Sequence, residues 1–223
     1  MRHAAGGYTA CIATQPQTPP DTAAPFVPQS RSIKTLAQAA LDCRGCPLFE
    51  DTTQTVFGKG PASASLILVG EQPGDVEDKR GVPFVGPAGA VLWQCIEAAG
   101  IDRGDVYATN AVKHFKHETR GKRRLHKRPD TAEVEACHPW LDAELRALKG
   151  QVIVALGAIA ARSLLGRSVP IAASRGTLFD VAGRATLVTY HPSAVLRADD
   201  RAAEVRAALV EDLKAGWRRA TGV

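Results

Sequence analysis

The 223-residue sequence has no apolar run long enough to span a bilayer, which excludes an integral membrane protein. Its first residues lack the charged start, the long apolar stretch and the cleavage site of a signal peptide, so we expect a cytoplasmic protein without a membrane partner. Only five cysteines are present, an odd number. In a reducing compartment this favours free thiols or metal ligands over a disulfide framework. No internal repeat is visible.

Charged side chains are almost missing from residues 1–30, where Arg2 and Asp21 are the only two. The same stretch contains five prolines, which prevent regular secondary structure. This composition predicts a disordered Pro/Ala-rich tail over residues 1–30. Residues 31–223 have a globular pattern and are expected to form a single domain, acting as a monomer.

The net charge of +5 is concentrated in one place, since eight Lys or Arg residues and the single acid Glu118 lie between Lys113 and Arg128. Such a block is typical of a nucleic-acid-binding surface. The run from Gly121 to His126 would hold a phosphate backbone and bring an imidazole close to a sugar or base. The alternative is a solvated basic loop. The expected contacts to the DNA backbone are Lys122, Arg123, Arg124 and Arg197.

Strand-like and helix-like segments alternate along the chain. Buried strands are predicted at 65–69, 106–110, 151–156 and 185–190, and helices at 32–40, 88–99, 131–148, 158–165 and 201–218. The alternation predicts an α/β fold of three αβα layers with a central, mainly parallel four-stranded sheet.

Polar motifs follow three of these strands. The first strand leads into Gly70-Glu71-Gln72-Pro73-Gly74-Asp75, the second ends at Asn110, and the fourth leads into His191-Pro192-Ser193. In open α/β sheets ligands bind beyond the carboxyl ends of the strands. We therefore expect a carboxylate, an amide and an imidazole to meet in one site.

The residue types in this site suit a planar, amide-like ligand. Asn110 offers a donor and an acceptor side by side, which matches the edge of a pyrimidine. Phe84, between prolines and glycines, is placed to stack on an unpaired base. The alternative for Phe84 is an ordinary core position.

Cys43 and Cys46 form a C-x-x-C pair after the first helix, which is compatible with zinc, an iron–sulfur cluster or a redox dithiol. A redox pair would open a helix rather than follow one. Cys137 is a third candidate ligand and His114 the expected fourth, because Cys95 lies on an apolar helical face and Cys11 in the tail. Ligand type alone does not separate zinc from iron–sulfur.

Together these motifs resemble the uracil-DNA glycosylase superfamily, and specifically its iron–sulfur branch. The likeness covers about residues 35–215. The matching segments are Cys43-x-x-Cys46, Gly70 to Gly74, Val82 to Gly89, Thr109 to Lys113, Cys137-x-Pro139-Trp140 and His191 to Ser193. Lys122-Arg123-Arg124-Leu125-His126 is similar to the loop of the UdgX group, with Leu125 in place of the usual isoleucine.

The resemblance implies excision of uracil from DNA, favoured on single strands, with the protein becoming covalently joined to the DNA through the loop histidine. His126, Glu71 and His191 would be catalytic, and the substrate-binding set would be Gly70, Gln72, Asp75, Phe84, Asn110 and Ser193. It also implies a 4Fe–4S cluster held by Cys43, Cys46, Cys137 and His114, where the general branch has a fourth cysteine. Gln72 stands where several related enzymes have a water-activating aspartate.

Two alternatives remain at this point. One is an ordinary iron–sulfur uracil-DNA glycosylase that releases its product and turns over. The other is a non-catalytic iron–sulfur DNA-binding module. The joint presence of Glu71, Asn110 and His191 favours the enzyme.

Overall fold

The computed structural model describes residues 22–222, so most of the predicted tail, with Cys11, lies outside the described residues. The segment 22–30 belongs to the folded part. Ala23 is buried, and its N–H donates to the Ala136 carbonyl at 2.7 Å. Residues on the N-terminal side of the expected boundary at residue 31 therefore pack against the domain.

Strands and helices alternate through the described residues. The strands are β1 (Leu66–Gly70), β2 (Val106–Asn110), β3 (His117–Arg120), β4 (Arg123–His126), β5 (Val152–Leu156), β6 (Leu178–Val181) and β7 (Arg184–Thr189). The α-helices are α1 (Ile33–Ala40), α2 (Asp75–Arg80), α3 (Pro87–Ala98), α4 (Thr131–Ala147), α5 (Ala158–Leu165), α6 (Ile171–Ser174), α7 (Ser193–Leu196) and α8 (Ala202–Thr221). Short 3₁₀ turns lie at Ala24–Phe26, Pro47–Phe49, Arg103–Asp105 and Asp199–Arg201.

The central sheet has five strands in the order β2-β1-β5-β7-β6. The first four are parallel, and β6 pairs antiparallel with β7 at the edge. The prediction of four strands misses β6, because its residues are only half buried and carry a weak apolar pattern. Ala182 and Gly183, both with positive φ, form the tight turn that joins β6 to β7.

Helices cover both faces of this sheet, which confirms the three-layer α/β prediction. Leu66 and Leu68 of β1 pack with α3 and α8, whereas Ile67 and Val69 pack with α4 and α5. Successive side chains of a strand point to opposite faces, so a parallel strand covered on both faces is apolar throughout. Cys95 lies in the first of these cores and is fully buried, as predicted.

A separate two-stranded hairpin, β3–β4, projects between β2 and α4. Its turn contains Gly121, whose φ of +59° is the left-handed conformation that glycine adopts readily. The basic run expected as a loop is therefore largely a strand, in which His126 lies directly opposite His117. None of the helices formed by residues 22–222 has the length and apolar character needed to cross a membrane.

Candidate active site

A cavity of about 870 Å³ opens at the carboxyl edge of the sheet. Glu71, Asn110 and His191 all line it, because β1, β2 and β7 end at the same edge. His126 reaches the same cavity from the hairpin. The structure thus brings together the carboxylate, the amide and both imidazoles that the sequence singles out.

Asn110 provides the most direct sign of a ligand. It is 3% exposed, and its Oδ1 is one of two buried side-chain polar atoms in the described chain without a hydrogen-bond partner. A Cβ at Gly70, its neighbour across the β1–β2 ladder, would overlap this oxygen and lie 2.6 Å from Phe84 Cζ. The glycine leaves room for both side chains, and the unpaired acceptor calls for an N–H donor.

Phe84 is buried and forms a wall of the cavity. Its ring centroid lies 6.4 Å from that of His191, with the planes inclined by 34°. Its backbone φ of +55° is left-handed, which is rare for a bulky residue and is concentrated at functional sites.

His191 has a defined tautomer. The backbone N–H of Ser193 donates to His191 Nδ1 at 3.2 Å, and the Ser193 hydroxyl lies 2.7 Å from the same nitrogen. Because Nδ1 accepts, the neutral ring carries its proton on Nε2. Burial, with the nearby Arg197 and His126, lowers the pKa of His191 to about 4, so the ring is neutral at physiological pH.

His126 is fixed in the other tautomer by Gln72. The side-chain oxygen of Gln72 accepts from Lys116 N at 2.9 Å, so its Nε2 is the donor. That nitrogen lies 2.9 Å from both His126 Nε2 and the Lys127 carbonyl, and 3.2 Å from the Lys116 carbonyl. An amide nitrogen only donates, so His126 Nε2 accepts and bears a lone pair. Gln72, which lines the cavity, thus also holds the hairpin.

Glu71 Oε1 lies 3.8 Å from His126 Nε2. Burial raises the pKa of Glu71, although Arg128 and Arg197 oppose this effect. Burial and then Arg197 lower the pKa of His126, which keeps its imidazole neutral. The contact therefore joins a carboxylate to an uncharged ring whose side chain is half exposed to the cavity.

Asp75, which lines the cavity as expected, forms an ion pair with Arg124. Arg124 Nε donates to Asp75 at 2.6 Å and its Nη1 donates to Asp78 at 2.7 Å. Arg124 also lies over the Phe115 ring, 5.5 Å from its centroid. The pair anchors β4 to α2, and the Arg124 guanidinium is largely engaged by these two carboxylates.

Some of the other cations have carboxylate partners, whereas the remaining ones expected at the DNA backbone are exposed. Lys113 is fully buried against Glu144, and Lys116 binds Asp130 and Glu133. Lys122 and Arg123 are exposed on the hairpin, and Arg197, also exposed, donates to the Ser193 hydroxyl at 2.9 Å. Of these exposed cations, Arg197 is one of the residues that line the cavity.

Cys43, Cys46 and Cys137 are all buried as free thiols. Cys43 Sγ accepts from the Trp140 indole at 3.1 Å, and Cys137 Sγ accepts from the backbone N–H of Lys113 at 3.3 Å. Burial raises the pKa of Cys46 to about 11 and that of Cys137 to about 12, and nearby Cys43 contributes to both shifts. Adjacent buried sulfurs that accept N–H bonds are a donor set suited to a metal or iron–sulfur group.

His114 is buried beside this region, and Thr55 orients it. The Thr55 hydroxyl donates to the Ala40 carbonyl at 2.8 Å and lies 3.0 Å from His114 Nε2, so the ring nitrogen donates to the hydroxyl. The lone pair is then on Nδ1, as a metal ligand requires. Nevertheless, no three His, Cys, Asp or Glu side chains within residues 22–222 are grouped at metal-holding distances.

Sequence reasoning misses Glu77, whose buried carboxylate accepts from the backbone N–H groups of Gly74, Val85 and Gly86. Gly74 and Glu77 have the spacing of a capping box, but glycine has no side chain to complete it, so the sequence signal for α2 is weak. It also misses Tyr190 in the cavity wall, for which the sequence has no comparable signal, and it includes Arg128 only as a member of the basic block.

Residues 57–214 match the model of the family described as the uracil DNA glycosylase superfamily. The chain belongs to the uracil DNA glycosylase superfamily. A type-4 uracil-DNA glycosylase of Thermotoga maritima is 36% identical over 184 residues, which cover 82% of this chain and 91% of that protein. A second type-4 enzyme, from Pyrobaculum aerophilum, is 36% identical over 173 residues, covering 74% and 85%. The superfamily match includes β1, β2 and β7, which position the cavity residues.

A further relative is matched less completely. A type-5 uracil-DNA glycosylase of Pyrobaculum aerophilum is 33% identical over 96 residues, or 42% of this chain and 39% of that protein. The type-4 proteins are therefore matched over far more of the chain than this type-5 protein is.

Proposed function

We propose that this protein is a uracil-DNA glycosylase that excises uracil, preferentially from single-stranded DNA, and becomes covalently linked to the resulting sugar through His126. The type-4 relatives support the excision of uracil. One observation carries the covalent step: His126 lines the cavity with its Nε2 unprotonated, where Gln72 donates to it and Glu71 lies 3.8 Å away.

Base recognition follows from the unpaired oxygen of Asn110. The N3–H of uracil would donate to Oδ1 while the amide nitrogen donates to uracil O4. Cytosine has an acceptor at N3 and an amine at C4, so both hydrogen bonds would be lost. The base must leave the stack to reach this pocket, which is easiest for a single strand.

Cleavage of the glycosidic bond leaves its electron pair on uracil. The Nε2–H of His191 is aimed into the cavity by Ser193 and would donate to uracil O2 as negative charge develops there. The donor is the neutral imidazole, because the pKa of His191, about 4, lies well below physiological pH. The sugar meanwhile gains oxocarbenium character at C1′.

The sugar would then be captured by His126 Nε2, whose lone pair leaves the Gln72 N–H and forms the new bond to C1′ as the bond to uracil breaks. The released Gln72 N–H still has the Lys116 carbonyl as an acceptor, at 3.2 Å. The resulting imidazolium releases its Nδ1 proton, and the departing uracil anion takes up a proton from solvent. Glu71, close to the ring, stabilises the positive charge formed at C1′ and on the imidazole. An alkylated imidazole is a poor leaving group, so the adduct persists.

The three thiols and His114 fit a 4Fe–4S cluster by donor type, tautomer and burial. When bound, such a cluster would cross-link the segment after α1, the segment after β2, and α4. Its role would be structural, since glycosidic cleavage transfers no electron.

The decisive test uses uracil-containing single-stranded DNA on a denaturing gel, with wild type and His126→Ser compared. We expect a denaturant-stable adduct for wild type, and uracil release without an adduct for His126→Ser, because its small side chain leaves room for water. Release without adduct by wild type would instead indicate the multiple-turnover enzyme. No release by either protein would favour the non-catalytic DNA-binding module.

A further inference from the structure

We propose that Trp93 and Glu77 are positioning residues that hold the Phe84 ring in the stacking position for the base. The inference rests on the proposed function and deepens it, because it concerns how the same pocket is kept in shape. Neither side chain has been assigned a role in the reaction.

Phe84 needs such support because of its backbone. A φ of +55° is unfavourable for a residue with a bulky side chain and persists only where the surroundings enforce it. The position of the Phe84 ring in the cavity wall depends on this backbone conformation, because an extended backbone at Phe84 would direct the ring elsewhere.

The peptide group between Phe84 and Val85 is held at both ends. The indole N–H of Trp93, on α3, donates to the Phe84 carbonyl at 2.9 Å. On the other side, Glu77 Oε1 accepts from the N–H of Val85 at 3.1 Å. Holding the two ends of one peptide plane fixes its rotation, and with it the direction of the Phe84 side chain.

Both supports are themselves anchored. The Arg103 guanidinium covers the Trp93 ring, 4.1 Å from its centroid. Glu77 also accepts from Gly86 N at 2.8 Å and from Gly74 N at 3.2 Å, so one carboxylate joins the two segments that border the cavity. The segment approaches α3 so closely that a Cβ at Gly89 would overlap the Phe84 carbonyl.

The first test is a double-mutant cycle on single-turnover uracil release. Trp93→Phe keeps an aromatic ring beneath Arg103 but removes the N–H donor, and we expect a loss of about tenfold, as for one lost hydrogen bond. In a Phe84→Ala background the same change should have no further effect, because the residue through which it acts is gone. Trp217→Phe on α8, a matched substitution away from the cavity, should leave the rate unchanged.

Glu77→Ala provides a second arm, because it removes the carboxylate oxygen that accepts from the Val85 N–H. We expect slower uracil release, and no further loss when the same change is made in the Phe84→Ala background. Melting temperatures are recorded for every variant. Equal losses with and without Phe84 would overturn the inference while leaving the glycosylase intact. Absence of uracil release by wild type would overturn the proposed function, and this inference with it.

Discussion

At the scale of single residues, the two imidazoles of the cavity have opposite tautomers. His191 accepts at Nδ1 and so presents Nε2–H, whereas His126 accepts from Gln72 at Nε2 and so carries its proton on Nδ1. One ring is suited to donate to a leaving group and the other to attack carbon. The difference is set by neighbours, Ser193 for His191 and Gln72 for His126, and not by the ring itself.

Asn110→Ala should remove base recognition while leaving His126 in place. Two hydrogen bonds to uracil are lost, so we expect kcat/KM for uracil release to fall by about a hundredfold or more. Single-turnover release from single-stranded DNA measures the effect. Adduct formation should fall by the same factor, because capture depends on excision; an unchanged rate would exclude Asn110 from recognition.

The pH dependence of adduct formation should respond to Arg197. This cation lowers the pKa values of His126, His191 and Glu71. His126 attacks only when neutral and Glu71 acts only when ionised, so activity is lost as pH falls through these pKa values. Removing the Arg197 charge should therefore raise the pKa values of His126, His191 and Glu71.

Arg197→Gln should therefore move the acid limb of the rate profile to higher pH. Arg219→Gln, on the exposed end of α8, makes the same charge change away from the cavity and should not move the limb. A limb that stays in place in both variants would contradict the electrostatic role of Arg197.

At the scale of elements, the β3–β4 hairpin decides where His126 lies. Phe115 packs between His117 and His126, with ring centroids 5.0 and 6.0 Å away, and β4 is tied to α2 through Arg124. The hairpin is thus a short element positioned by tertiary contacts rather than by its own core.

Gly121→Val should misplace this hairpin. The left-handed φ at Gly121 is unfavourable for a β-branched residue, at a cost of about 1–2 kcal/mol. Gly166→Val is a matched control, since Gly166 has a φ of +67° and, like Gly121, open space where a Cβ would lie. Both variants should lose similar stability in urea, but only Gly121→Val should slow adduct formation; equal adduct rates would contradict the role of the hairpin.

The elements also show how far the sequence predicts this structure. The four parallel strands and the five longer helices are predictable to within a few residues, because each carries a continuous or periodic apolar pattern. The short elements α2, β3, β4 and β6 are not, since their charged or half-exposed residues form regular structure only through contacts with distant segments. For the same reason, the sequence predicts that Arg124 contacts the DNA backbone and gives no sign of its bond to Asp78.

At the scale of the whole molecule, the thiol region joins parts of the chain that are far apart in sequence. Cys43 follows α1 and contacts Trp140 of α4, while Cys137 of α4 contacts the segment after β2. A group bound there would fix the N-terminal segment and the root of the hairpin together.

Cys137→Ser should abolish iron binding in protein purified without oxygen and lower the melting temperature. Cys95→Ser is the control, because Cys95 is equally buried but lies in the core between the sheet and α3. It should retain iron despite some loss of stability. Stoichiometric zinc with no iron in wild type would refute the cluster.

The central claim concerns one bond, between His126 and the sugar. The most direct measurement is mass spectrometry of the adduct after digestion with trypsin and nuclease. The account predicts the mass of the deoxyribose remnant on the peptide that carries His126, with fragment ions that place it on the imidazole. A remnant on any other residue, or a wild-type protein that releases uracil and leaves every peptide unmodified, would contradict it.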